Sequence, residues 1–132
     1  MRRPACAAII LAVLGSPVFA EDPPRLPPSS TRLAGATIAA LYDGRTYTFE
    51  SHTSFGVATG EVTYDLKAGT NRGTYQLGSR KGTFDGEIRI TRDRFCYKTG
   101  STGERCNYVY LDGQDIYEVR QSGIVDSVKR AP

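Results

Sequence analysis

Arg94-Phe95-Cys96-Tyr97-Lys98-Thr99-Gly100-Ser101-Thr102-Gly103-Glu104-Arg105-Cys106-Asn107-Tyr108-Val109-Tyr110-Leu111 reads as two short strands around a turn. Aromatic and branched residues alternate on both sides of a break rich in Gly, Ser and Thr, which is the pattern of a hairpin. With Cys96 facing Cys106, Lys98 falls opposite Glu104, an opposite-charge pair that suits facing strands. Phe95, Tyr97, Val109 and Leu111 then share one face, the expected core side. On the other face Arg94 lies opposite Tyr108, and Arg92 opposite Tyr110, beside the cysteines.

Whether those cysteines join depends on the compartment, and the N-terminus speaks to that. Arg2 and Arg3 form a positive start, Ala5 to Leu14 an apolar run, and Val18-Phe19-Ala20 a small-x-small cleavage pattern. Residues 1–20 are therefore expected to be an export signal cleaved before Glu21. Gly15 and Pro17 stop the apolar run short of the ~20 residues a spanning helix needs. Arg2-Arg3 lacks the residues that follow a twin-arginine pair, so the general secretory route is expected. Cys6 precedes the apolar run, is badly placed for lipid attachment, and leaves with the signal. Cys96 and Cys106 remain as an even pair in an oxidising compartment, where a disulfide is expected. A loop this short contributes about 2.5–3 kcal/mol on the chain-entropy estimate.

Loss of Arg2 and Arg3 lowers the formal charge of the 132-residue chain from +3 to +1. That near-neutral balance gives no electrostatic case for nucleic acid or for anionic membranes. A soluble periplasmic or secreted protein is expected, with no transmembrane segment after cleavage.

The remainder reads as one domain. Residues 21–31, with four prolines, are expected to form an extended linker, and residues 32–132 a single β domain. Ala34, Ile38, Leu41 and Tyr42 recur at helical spacing after the candidate caps Ser30 and Thr31, and Asp43-Gly44 ends the run. Gly35 weakens this helix, and a strand is the alternative, because Ile38, Ala40 and Tyr42 also alternate. From Arg45 onward the period is two: Tyr47 and Phe49, Phe55 and Val57, Val62 to Leu66, Tyr75 and Leu77, Phe84, Ile88 and Ile90, and on through Tyr117 with Val119 to Ile124–Val128. A phase slip near Gly60 suggests a bulge or tight bend. Gly73-Thr74-Tyr75 and Gly82-Thr83-Phe84 echo one another, as markers of strand starts. Short strands between turns predict a mainly β antiparallel meander of about six to eight strands, forming a small barrel or strongly curved sheet with one short N-terminal helix.

Few residue groups suggest chemistry. His52 is the one histidine and sits beside a strand end, where an exposed loop residue is the simpler reading. Asp85 and Glu87 fall on one face of one strand, which suits solubility better than acid–base catalysis. Asp112-Gly113-Gln114-Asp115 lacks the spacing and terminal glutamate of a calcium loop and reads as a hairpin turn. The glycine-spaced stretches have no helix behind them to receive a phosphate, and C-x9-C without clustered histidines argues against zinc. No catalytic residue, cofactor or metal ligand is identified. Arg92, Arg94, Tyr108 and Tyr110 form the possible interaction face, since Tyr and Arg favour cation–π contacts and interfaces.

In Leu41-Tyr42-Asp43-Gly44-Arg45-Thr46, in Gly86 to Arg94 leading into Phe95-Cys96-Tyr97, in Cys106-Asn107-Tyr108-Val109, and in the aromatic strand after Asp112-Gly113, the chain resembles an uncharacterised family of small exported bacterial β proteins. The shared frame is a short N-terminal helix and a disulfide-linked C-x9-C hairpin, over most of residues 33–120. This chain has Tyr or Phe where such proteins often carry Trp. The resemblance implies an exported β domain with a structural disulfide, and no catalytic residue. The expectation is a non-enzymatic binding or interaction module of the periplasm or cell envelope. Its partner would be a protein or a small apolar ligand held in the barrel. A small exported carboxylate-dependent hydrolase and a purely structural envelope protein are the alternatives.

Overall fold

A computed structural model describes residues 22–132, so the expected signal, its cleavage point and Cys6 lie outside the described residues. The elements are β1 (Thr31–Arg32), α1 (Gly35–Tyr42), β2 (Thr46–Thr53), β3 (Gly56–Asp65), β4 (Thr70–Leu77), β5 (Arg80–Thr91), β6 (Arg94–Thr99), β7 (Arg105–Asp112), β8 (Asp115–Val119) and β9 (Val125–Arg130). From β2 to β9 each strand pairs antiparallel with the next, and β9 returns to β2 through Glu50↔Val128 and Ser51↔Ser127. The result is a closed eight-stranded barrel, so both edges of the meander are satisfied by each other. β1 adds two residues beside β7. Among the described residues no helix is long and apolar enough to cross a membrane.

The β6–β7 hairpin has the register read from its cysteines: Cys96 pairs with Cys106, Arg94 with Tyr108, and the disulfide is formed. Glu104 bonds to Arg89 of β5, with Nε 2.7 Å away, and not to Lys98 as its main partner. Arg89 pairs with Cys96, and so stands on the same outer face as the disulfide.

Helix α1 closes the barrel end that carries the β3–β4 and β5–β6 turns. Ile38 and Tyr42 are fully buried in the main core, against Tyr64, Phe95 and Val109. Neither Ser30 nor Thr31 caps it. Ala34 precedes the first turn without a side-chain cap, and Asp93 from the β5–β6 turn accepts the Gly35 N–H at 2.9 Å. Gly35, expected to weaken the helix, is required there, because a Cβ would lie 2.3 Å from the Arg92 carbonyl oxygen. Past the helix, Asp43 Oδ1 accepts the Leu66 N–H at 3.1 Å and the Gly44 N–H reaches the Tyr64 carbonyl at 3.0 Å.

Two further expectations are corrected. No bulge occurs at Gly60: β3 pairs unbroken with β2 from Thr46↔Thr63 to Thr53↔Gly56. The apparent slip arises because Phe55 lies in the β2–β3 turn, 87% exposed, and Val57 alternates outward. The register shift falls instead at Glu118/Val119. On β8, Tyr117 and Val119 do not join the barrel interior. They form a second apolar cluster with Val125 and Val128, whereas Ile116 belongs to the main core. Finally, the proline-rich stretch is no free tether. Leu26 packs on that second cluster and Ser29 Oγ donates to Asp112 Oδ1 at 2.7 Å. Prolines hold the chain extended without ladder donors, so it lies across the wall and buries what β8 and β9 turn outward.

Candidate functional site

Eight strands enclose an interior just wide enough to be filled by side chains or to hold one small ligand. Helix α1 closes one end, with Ile38 and Tyr42 in the core. Beyond it lies a cavity of about 290 Å³. Its walls are Phe49, Tyr64, Tyr75, Phe84, Phe95 and Tyr97, and its polar lining includes Asn71, Glu118, Ser127 and Lys129. Tyr64, Phe95, Glu118 and Lys129 are buried, while Ser51, Ala58, Tyr75 and Thr99 are partly exposed. That gradient sets the mouth at the end away from α1, among the β2–β3, β4–β5 and β6–β7 hairpins.

The Gly-Thr-aromatic echo builds the wall. Gly73 pairs with Phe84 and Tyr75 with Gly82, so each copy's glycine faces the other copy's ring. A Cβ at Gly73 would meet the Phe84 ring at 2.7 Å, and one at Gly82 the Tyr75 ring at 2.8 Å. The rings lean across onto the neighbouring strand and leave the lumen open. Deeper, Tyr42 and Tyr64 stack at 4.8 Å between centroids, with Phe95 edge-on to both at 4.7 and 5.5 Å. These arrangements suit the ring quadrupoles.

At the floor lies a buried ion pair. Lys129 Nζ donates to Glu118 Oε2 and, at 3.0 Å, to Ser127 Oγ. Tyr42 donates its hydroxyl to the same Glu118 oxygen at 2.6 Å. Burial and then the Glu118 charge push the Tyr42 hydroxyl well above its ordinary pKa. The Tyr64 hydroxyl moves the same way for the same reasons. Nζ also stands 5.9 Å from the Tyr64 ring centroid.

A second network sits beside the register shift. Asp126 accepts from Tyr97 at 2.6 Å, Arg105 at 3.1 Å, Asn107 at 3.1 Å, and Arg120 at 3.1 and 2.9 Å. Burial raises its pKa, but the bonds from Tyr97, Arg120 and Asn107 and the Arg105 charge outweigh this and hold it below the usual range. The Tyr97 hydroxyl is pushed up by burial and by the Asp126 charge. Tyr97 and Ser51 line both the cavity and an outer hollow bounded by His52, Phe55 and Ile124.

The structure keeps Arg94, Tyr108 and Tyr110 of the possible interaction face together on the outer wall and sets Arg92 apart in a turn. Arg94 pairs with Tyr108 as expected, but Arg92 lies in the β5–β6 turn with φ 53°. Tyr110 pairs with Arg32 of β1 and Tyr117 of β8. The guanidinium over the Tyr108 ring, at 3.9 Å, is that of Arg32, and Tyr110 packs on the outer cluster. The face is therefore partly occupied by the chain's own N-terminal stretch. Asp85 and Glu87 lie on the exposed outer side of β5, opposite Arg72 and Thr70. Asp112-Gly113-Gln114-Asp115 forms the β7–β8 turn, with Asp112 paired to Asp115.

The sequence reading missed Asn71, Glu118, Ser127 and Lys129. Glu118 is flanked by Ile116, Tyr117 and Val119, and a charge inside an apolar run was the available signal. Compared with protein-family models, curated proteins and solved structures, the chain finds no match in any of the three.

Proposed function

We propose that this chain is an exported, non-enzymatic binding module of the periplasm or cell envelope, and that its barrel takes up one small, largely apolar molecule. The observation that carries this reading is the aromatic cavity. It has a volume of about 290 Å³, near the lower end of ligand sites, and is mostly apolar, with a few polar groups at its floor, wall and mouth. At the ~30 Å³ a water occupies, that space suits roughly ten non-hydrogen atoms. The hydrolase alternative has less support. A glycosidase needs one carboxyl poised as an acid with a raised pKa, whereas Asp126 is held low by its donors and Glu118 is tied to Lys129. The expected export signal and the family resemblance belong to the same reading and support a location outside the cytoplasm.

Titration of 15N-labelled protein with a small aromatic such as naphthalene tests it. Saturable shifts are expected at Phe49, Ala58, Tyr75 and Phe84, and Ala58→Trp, which fills the lumen, abolishes them. Shifts confined to the outer wall, or binding undisturbed by Ala58→Trp, would overturn it.

A further inference from the structure

Asn71 stands on β4 between Tyr64 of β3 and Gly86 of β5, on the inward side of the wall. It is only 8% exposed, and its Oδ1 has no hydrogen-bond partner. A buried acceptor left unpaired is costly, and native proteins rarely keep one without a use. The position facing it is a glycine. A Cβ at Gly86 would lie 2.5 Å from the Lys98 carbonyl oxygen, 2.9 Å from Asn71 Oδ1 and 3.3 Å from Thr99 Oγ1. That position is closely overlaid, and the lack of a side chain there lets Asn71 Oδ1 rest against the β5–β6 backbone without a donor. Asn71 and Thr99 both line the cavity.

An unpaired amide oxygen on a residue that lines the cavity calls for a hydrogen-bond donor. The charge of that donor follows from the floor: Lys129 and Glu118 already neutralise each other. A charged ligand group would stay without a counter-ion among aromatic walls, a large penalty. Resting on the binding reading above, we propose that the ligand is a small, flat, uncharged aromatic molecule carrying an N–H group. The rings lie among Phe49, Tyr75, Phe84 and Tyr97, and the N–H points to Asn71 Oδ1.

Indole and benzothiophene separate this from simple hydrophobic capture, because they share a shape and differ in the donor. Affinities are measured by NMR titration of the folded, oxidised protein. Indole is expected to bind about tenfold more tightly, the factor one well-made buried hydrogen bond supplies. In Asn71→Leu the preference disappears, with benzothiophene binding kept. In the unmodified protein, indole and not benzothiophene shifts the Asn71 side-chain amide resonances, a readout that does not depend on the variant folding. Equal affinities for the two probes, or an indole preference that survives Asn71→Leu, would overturn the donor assignment and leave the binding reading intact. Failure of both probes to bind at millimolar concentration would overturn both.

Discussion

Replacing Lys129 by Met removes one charge of the floor and keeps the length of the side chain. The side chains of Lys129 and Glu118 are 5% and 2% exposed, so the remaining carboxylate stays buried with Tyr42 as its one surviving donor. Breaking a buried pair by removing one partner costs about 3–5 kcal/mol, because the other charge has lost its compensation. With m near 2 kcal/mol/M in urea, this lowers the unfolding midpoint by roughly 2 M. That is a large share of the 5–15 kcal/mol typical of a domain. Adding Glu118→Gln to Lys129→Met restores most of the loss, since the amide oxygen still accepts from Tyr42 and no bare charge remains. The expected coupling between the two sites is about 2–3 kcal/mol. The assay is urea unfolding of the oxidised single and double variants, followed by circular dichroism. A Lys129→Met cost below about 1 kcal/mol, with no recovery in the double variant, would show that water entering through the cavity solvates the pair. The description of the floor as desolvated would then fail.

Further outcomes follow from the same contacts. Gly35→Ala should destabilise the protein, although Ala improves an exposed helix interior by up to about 1 kcal/mol, because the new Cβ meets backbone 2.3 Å away. A raised thermal midpoint for this variant would contradict the packing of α1. Asp126 has a lowered pKa, so its contribution is complete above the unfolded carboxyl value near 3.9 and is lost as pH falls through the folded value. Asp126→Asn should therefore flatten the fall in stability between about pH 5 and 2, measured by urea midpoints across that range. Tyr42, Tyr64 and Tyr97 have raised values, so their contribution is full below the unfolded value near 10 and is lost as pH rises through the folded ones. Part of the phenolate absorbance at 295 nm should thus appear only as the near-ultraviolet dichroism collapses. A full rise while that signal persists would count against their burial.

Much of the fold was legible because strand alternation is local. Phe95, Tyr97, Val109 and Leu111 went to the interior as their spacing required, and the cysteines set the register between two strands. The helix at Gly35–Tyr42 was legible from its apolar spacing, but its cap was not, because Asp93 reaches Gly35 from 58 residues away. The site was largely illegible. On β8 the apolar pair Tyr117 and Val119 imitates an inward face, and only the docking of Leu26 on the outside reveals that Glu118 is the residue turned to the lumen. Likewise the Arg/Tyr face looked unoccupied until Arg32 was seen over Tyr108.

Residue order alone was enough for a mainly β chain with one short helix and a cross-strand disulfide, because period, turn residues and cysteine pairing are read within a few positions. Barrel closure, the pairing of Lys129 with Glu118, and the unpaired amide oxygen of Asn71 depend on which strands meet. That is set by how distant segments pack, since the energy of a buried charge or an unpaired amide depends on neighbours far away along the chain.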